Sequence, residues 1–302
     1  MKTEWIAVDW GTTNLRAWVV SHAGLIIDQA GSDHGMGRLT PDQFEPALLD
    51  LIATFLPNDK VTPIVCCGMV GARQGWIEAP YAFVPCAPSN AAIIVCPKAI
   101  DPRIKIHILP GVAQTAPPDV MRGEETQIGG YLAGNPDFEG VICLPGTHTK
   151  WVHISAGEIV SFRSFMTGEI FALLSCHSVL RHSLTTESWD DKAFTAAVID
   201  AKLAPQNLSS SLFSLRAGVL LTGLPRATAT AQLSGWLIGL ELAGSRPYWL
   251  GQEVVVIGPD KLGKRYMSAL EALGVAPKFE LGDTLALAGL TTAFSKLKED
   301  DS

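Results

Sequence analysis

Two short stretches carry the same polar signature. Gly11-Thr12-Thr13-Asn14 and Gly146-Thr147-His148-Thr149 each stand between two runs of apolar and β-branched residues, and "IAVDWGTTNLRAWVV" lies over "VICLPGTHTKWVHI" without gaps at a constant offset of 135 residues. Glycine lets a backbone come close to a ligand and aims its amide hydrogens at phosphate oxygens, while threonine hydroxyls add donors without charge. A single Gly-Thr turn is ordinary hairpin chemistry. Two in matched settings point to a phosphate tail held between two duplicated domains. His148 and Lys150 are further phosphate donors, although side chains alternate along a strand and only some can face the ligand. Arg16, on the second arm of the first hairpin, is a planar multi-donor cation suited to a transferring phosphoryl group or to a structural salt bridge. At Gly123-Glu124-Glu125 two carboxylates open a predicted helix, where they can supply a base or simply favour the positive end of the helix.

The elements that must position these residues alternate between strand and helix. Strands are predicted over 6–8 and 15–20, joined by the first turn. Thr40 and Gln43 form a capping box, Pro41 suits the first helical position, and Phe44, Ala47, Leu48, Leu51, Ile52 and Phe55 recur at helical spacing until Pro57. Strands at 63–67 and 105–109 run into the loops "GMVGARQGW" and "PGV". A helix opens at "EETQIGGYLAG", then come the strand "GVICLPG", the arm "KWVHI" and a mostly helical stretch over 167–243. The strand "EVVVIG", a helix over 260–273, the strand "PKFEL" and a final helix from residue 283 complete the chain. No low-complexity linker interrupts it, which predicts an α/β protein of two closely packed domains around a cleft.

Bulk properties narrow the chemistry. With 302 residues, 47% hydrophobic side chains and a net charge of −7, the chain can bury two ordinary cores and is expected to be soluble. Lysine and arginine total 23 against 30 carboxylates with no basic run, which argues against nucleic acid. No apolar stretch reaches the roughly 18 to 20 residues of a membrane span, and "MKTEWIAVDWG" is too short and too quickly acidic for a signal peptide. The expected location is cytoplasmic. Cys66, Cys67, Cys86, Cys96, Cys143 and Cys176 form no CxxC pair and mostly sit in apolar runs, as buried reduced thiols do. His177 and His182 lack an acidic or cysteine companion at ligand spacing, so zinc is not expected.

With the turns placed on hairpins, "DWGTTNLR" and "LPGTHTKW" resemble the first and second phosphate-binding hairpins of the sugar kinase, heat-shock chaperone and actin superfamily. "GMVGARQGWIEAPYAFVP", "MRGEETQIGG", "FRSFMTGEIFALL", "LSGWLIGLEL" and "GDTLALAGL" together resemble the 2-dehydro-3-deoxygalactonokinase family over residues 6–290. The resemblance implies an α/β fold of duplicated actin-like ATPase (ribonuclease H-like) domains hinged over a nucleotide cleft. It places an N-terminal domain with sugar-acid loops at 1–120, a nucleotide-binding domain at 121–284, and a final helix, 285–302, returning to the first. It also implies ATP- and Mg2+-dependent phosphorylation of the 6-hydroxyl of 2-dehydro-3-deoxy-D-galactonate in galactonate and galactose catabolism. The partners are then the sugar acid and ATP, with a homodimer as the candidate assembly and neither nucleic acid nor membrane.

Carried over residue by residue, the resemblance assigns Asp9 to the magnesium ion through water, and Gly11, Thr12, Thr13, Asn14, Gly146, Thr147, His148, Thr149 and Lys150 to phosphates. "VVVIGPDKLG" follows the plan of an adenosine site with Gly258 at the strand end, although a ligand-free turn looks similar. Glu124 matches the slot of the catalytic base. Related sugar kinases usually carry aspartate there, which keeps Glu125 open, and Arg16 stands by the phosphoryl group. For the acceptor's carboxylate the choice among Arg73, Arg122 and Arg163 stays open. Gly71, Trp76 and Tyr81 belong to the candidate sugar-binding loop, where aromatics equally serve as core packing. Other readings are a phosphatase or polyphosphatase of the same superfamily, with water as acceptor, a kinase for a different sugar acid, and a non-enzymatic nucleotide-switched binding protein.

Overall fold

The computed structural model describes residues 2–88, 93–185 and 187–300. The chain divides into two compact units: one runs to Phe138 and adds Ser155–Ser161 and the stretch from Gly282, the other comprises Glu139–Ile154 and Phe162–Leu281.

The first unit holds β1 (Thr3–Trp10), β2 (Leu15–Ser21), β3 (Ile26–Ser32), α1 (Phe44–Ile52), β4 (Thr62–Gly68), β5 (Tyr81–Phe83), β6 (Ile104–Ile108), β7 (Gly111–Thr115), β8 (Pro118–Met121) and α2 (Glu124–Gly134). Its main sheet has the order β3-β2-β1-β4-β6, with β1 antiparallel to β2 and parallel to β4. A central strand covered on both faces must be apolar on both, and β1 is. Ile6, Val8 and Trp10 pack with Leu48 of α1 on one face, while Trp5 and Ala7 pack with Leu290 and Phe294 on the other. The capping box at Thr40 is present, with the Thr40 N–H donating to Gln43 Oε1 at 2.9 Å.

The second unit holds β9 (Gly140–Leu144), β10 (Thr149–Ser155), β11 (Glu158–Phe165), α3 (Thr167–His177), α4 (Asp191–Leu203), α5 (Leu208–Leu221), α6 (Arg226–Gly244), α7 (Arg246–Trp249), β12 (Val254–Gly258), α8 (Asp260–Glu271) and β13 (Lys278–Leu281). Its sheet order, β11-β10-β9-β12-β13, repeats that of the first unit element for element. The duplicated fold expected from the sequence is therefore present, and so is the helical stretch after residue 167. The last helix, α9 (Gly282–Asp300), belongs to the first unit.

Two details correct the sequence reading. The first unit extends to Phe138 rather than 120, because α2 packs on α9. A Cβ on Gly130 would stand 2.0 Å from the Leu285 carbonyl oxygen, and one on Gly289 1.9 Å from that of Thr126, so glycines let the two helices touch. The gapless hairpin match also hides a difference in length. Residues 11–14 separate the paired Trp10 and Leu15, whereas 145–149 separate Leu144 and Lys150. Pro145 has no N–H to extend the ladder, and the second turn is one residue longer.

Candidate active site

In the first unit the β1–β2 turn closes with the Gly11 N–H donating to the Asn14 carbonyl at 2.9 Å. A neighbouring segment braces it from behind: the Met36 and Gly37 N–H groups donate to the Gly11 and Thr12 carbonyls at 2.9 Å, and Trp10 Nε1 donates to the His34 carbonyl at 2.9 Å. A Cβ on Gly35 would stand 2.3 Å from the Thr13 carbonyl carbon, so only glycine fits there. Thr12, Thr13 and Asn14 remain exposed.

Asp9 and Arg16 face each other across β1 and β2, with Arg16 Nη2 donating to Asp9 Oδ2 at 2.6 Å. Arg16 Nη1 pairs with Asp283, in the first turn of α9. Burial opposes the Arg16 charge, but the two carboxylates outweigh it and move its pKa upward. The salt-bridge reading of Arg16 is thus the observed contact. The Cys67 thiol lies 3.8 Å from Asp9 Oδ1, and burial, with the charges of Asp9 and Glu125, pushes its pKa well up.

Glycines bring α2 to this same strand end. At Gly68, φ +89°, a Cβ would stand 2.7 Å from the Trp10 carbonyl oxygen, and one on Gly123, φ +107°, would stand 3.3 Å from the Gly68 Cα. Glu124 and Glu125 therefore start their helix beside the end of β1 that carries Asp9. Their environments differ. Glu125 is buried, takes the Gly123 N–H on both oxygens at 2.7 and 2.9 Å, and accepts from Thr126 Oγ1 at 3.2 Å. Burial, reinforced by the Glu124 charge, pushes its carboxyl up to about 7. Glu124 is half-buried and accepts from the Arg122 N–H at 3.0 Å.

The three candidate arginines separate cleanly. Arg73 is exposed and pairs with Glu78, and Arg163 is exposed on β11. Arg122 donates from Nη2 to the Ala79 carbonyl at 2.7 Å and lies 4.3 Å over the Tyr81 ring, while its Nε and Nη1 are buried without a partner among the described residues. Gly71 lies against it, since a Cβ there would stand 3.0 Å from Nη1. Trp76 is partly buried and packs on Phe44 and Trp10 at centroid distances of 6.1 and 6.3 Å.

In the second unit the longer turn leaves Thr147 and His148 exposed and turns Thr149 and Lys150 inward. Thr149 Oγ1 lies 2.9 Å from Tyr266 OH, and Lys150 Nζ donates to Ser164 Oγ at 2.5 Å. The start of α3 supports the turn: the Glu169 N–H donates to the Thr147 carbonyl at 2.9 Å, His148 Nε2 meets Glu169 Oε2 at 2.5 Å, and a Cβ on Gly168 would stand 2.2 Å from the Gly146 carbonyl oxygen. Gly258 stands behind, where a Cβ would approach the Pro145 carbonyl oxygen to 3.4 Å. Beside the turn opens a pocket of about 260 Å³, whose walls include Thr147, Thr167, Ile238, Leu262, Arg265 and Tyr266. That is near the lower end of ligand pockets, roughly 300 Å³ upward, and gives room for part of a nucleotide.

Sequence reading missed Asp283, the glycines at 68 and 168, and the pocket residues of α6 and α8. Asp283, Gly68 and Gly168 lie in quoted motifs, "GDTLALAGL", "GMVGARQGW" and "FMTGE", but their partners are distant in the chain. Among the described residues no three His, Cys, Asp or Glu side chains come together as a metal cage. A lone carboxylate such as Asp9 suits Mg2+, which keeps most of its waters and is held through one or two carboxylates and substrate phosphates.

Comparison with known proteins places the chain among sugar-acid kinases over nearly its whole length. A model of the 2-keto-3-deoxy-galactonokinase family matches residues 9–293. A Rhizobium meliloti protein described as the 2-dehydro-3-deoxygalactonokinase DgoK1 is 39% identical over 295 residues, 95% of both chains. The 2-dehydro-3-deoxygalactonokinase of Escherichia coli is 36% identical over 293 residues, 96% of this chain and 97% of that one. A Sinorhizobium meliloti crystal structure described as a protein of the same activity superposes with a TM-score of 0.90 at 38% identity, covering 97% of this chain and 99% of that one.

Proposed function

The chain belongs to the 2-keto-3-deoxy-galactonokinase family, and from that premise we propose that it transfers the γ-phosphoryl group of ATP to the 6-hydroxyl of 2-dehydro-3-deoxy-D-galactonate, with Glu124 as general base. The observation that carries the role of Glu124 is the glycine contact between Gly68 and Gly123, which sets the start of α2 at the Asp9 end of β1. Of the two glutamates there, Glu125 is committed to its own helix terminus and Glu124 is the more accessible.

In the transfer the acceptor oxygen attacks the γ-phosphorus, the bond to the ADP oxygen breaks, and the hydroxyl proton passes to Glu124. Such reactions depend on positioned phosphates and offset charge more than on covalent chemistry. The Thr12, Thr13 and Thr147 hydroxyls, with the turn amides other than that of Gly11, donate to phosphate oxygens. Asp9 would hold Mg2+ through water, where the ion neutralises phosphate charge, and Arg16 fixes the direction of Asp9. Arg122, a cation with two buried unpaired donors, receives the carboxylate of the sugar acid. The pocket beside Thr147 takes the nucleoside end.

The test is ATP consumption with a series of aldonic and keto-deoxy aldonic acids, with the position of phosphate on the product determined. Acceptor-dependent turnover greatest with 2-dehydro-3-deoxy-D-galactonate, phosphorylated at O6, is expected. Equal ATP hydrolysis with and without every acid would replace this reading by a phosphatase.

A further inference from the structure

A carboxylate lies behind the nucleotide turn of the second unit, away from the glutamates given a role above. Glu241 projects from α6 and is 2% exposed. A carboxylate so deeply buried is tolerated only where donors surround it. Trp151 Nε1 donates to one oxygen at 2.8 Å and Tyr266 OH to the other at 2.8 Å, and the Tyr266 hydroxyl is itself 2.9 Å from Thr149 Oγ1. The hydroxyls of Thr167 and Thr149 add to this set. The titratable neighbours are the Tyr266 phenol and the Cys143 thiol, both pushed well up, first by burial and then by the Glu241 charge.

The donors come from elements that make the site. Thr149 and Trp151 lie on β10, the arm leaving the turn; Thr167 opens α3, whose Gly168 supports the turn; and Tyr266 lies on α8 after Gly258. Thr167 and Tyr266 also wall the pocket. Indole N–H can only donate, and so this point of the network needs an acceptor. We propose that Glu241 is a positioning residue for nucleotide binding, holding the β10 arm, the start of α3 and α8 in register through shared hydrogen bonds. The proposal rests on the reading that this turn and pocket take the nucleotide. Burial pushes the Glu241 carboxyl up to about 7, so its acceptor strength changes across neutral pH.

The test compares ADP affinity by calorimetry in wild-type protein and in Glu241→Leu, Glu241→Gln and Gly168→Ala. Leucine fills similar volume without an acceptor, and ADP should bind at least about tenfold more weakly, since each lost hydrogen bond to a charged group is worth about that factor or more. The KM for ATP should rise in parallel, with kcat and the sugar-acid KM within about twofold and the melting temperature lower, because the Trp151 and Tyr266 donors lose their acceptor. Glutamine can still accept from Trp151 and donate to the Tyr266 oxygen. It should weaken ADP only about threefold at pH 8, and the variant-to-wild-type ratio should approach one near pH 6, where Glu241 is itself protonated. Wild-type ADP affinity in folded Glu241→Leu overturns the proposal. If that variant does not fold, Tyr266→Phe takes its place, with several-fold weaker ADP expected and unchanged ADP affinity overturning. Gly168→Ala disturbs the turn directly. Unaltered ADP affinity there removes the nucleotide reading itself, whereas loss there with wild-type affinity in Glu241→Leu removes only the positioning role.

Discussion

Adjacent glutamates in different surroundings give a sharp experiment. Glu124→Gln keeps the side chain's shape and an oxygen for the Arg122 N–H, but removes the basicity. General-base catalysis contributes about 10² to 10⁴ in rate, or about 3 to 5.5 kcal/mol of transition-state stabilisation. The kcat should fall by that factor while both KM values change little. Glu125→Gln meets a different difficulty. One amide oxygen can keep the Gly123 N–H, but the amide NH2 enters a buried place furnished with donors. That mismatch should cost about 1 to 3 kcal/mol of stability and only a few-fold in kcat.

The pH dependence separates the pair further. Glu125 has a folded pKa of about 7 against an ordinary value of 4.5. Below pH 4.5 the group is neutral in both folded and unfolded chains and costs nothing. Between 4.5 and 7 the unfolded chain ionises while the folded one stays protonated, so stability declines as pH rises, levelling off above 7 after a loss on the order of 3 kcal/mol. Glu125→Gln should lack this decline, and its melting deficit against wild type should shrink from pH 5 to pH 8. Coupled assays of ADP release alongside melts at several pH values read both quantities. A nearly fully active Glu124→Gln enzyme would remove the base from the mechanism, and an inactive Glu125→Gln enzyme with an ordinary melt would transfer the role one position along.

Arg122→Lys keeps the charge but loses the planar donors, so the sugar-acid KM should rise about 10- to 100-fold with the ATP KM unchanged; a sugar-acid KM within twofold of wild type would send the carboxylate elsewhere. Gly289→Ala forces a Cβ to 1.9 Å from the Thr126 carbonyl oxygen, and overpacking of this kind costs about 1 to 3 kcal/mol. Melts should fall by several degrees, and kcat should fall too, because α2 carries Glu124; an unchanged melt would show that the helices separate freely. Glu4 is held down to about 2, chiefly by its hydrogen bond from Lys298, with Lys60 adding. A depressed folded pKa gives stability that is present above the ordinary value of 4.5 and lost as pH falls toward 2. Glu4→Gln should therefore melt lower than wild type at pH 7, with the gap closing in acid; a gap that is constant with pH would refute the ion-pair account.

What the sequence made legible was local. Both turns, the strands flanking them, the capping box at Thr40 and the helix opening at Glu124 depend on neighbours a few residues away, and each is found in the fold. The strands β3, β5, β7, β8 and β11 were not predicted. The edge strand β3 reads "IIDQAGS" and is largely exposed, so it lacks the apolar signal of β1. The domain boundary was misplaced for a long-range reason: α2 joins the first unit through Gly130 and Gly289, positions separated by about half of the chain. Asp283 and Glu241 were passed over for the same reason. A carboxylate in a sequence does not announce whether an arginine at position 16 or an indole at 151 will meet it.

The duplication also shows why one motif does not mean one chemistry. Both hairpins present glycine and threonine at a turn and feed the same sheet order. In the first, the strand end carries Asp9 opposite Arg16; in the second, Leu144 stands opposite Lys150, whose amine is turned to Ser164. The residue added by Pro145 shifts the second arm by one position against the first, and a one-residue shift exchanges the two faces of a strand. Thr149 is thereby directed inward to Tyr266 and the Glu241 network. The first strand end keeps a carboxylate–guanidinium pair at its edge, while the second turns Thr149 and Lys150 to partners within its own unit. Exchanging the turns between the hairpins would carry the Gly-Thr amides across but leave Asp9 and Glu241 behind, which is why the chemistry of each half belongs to its register and its distant partners.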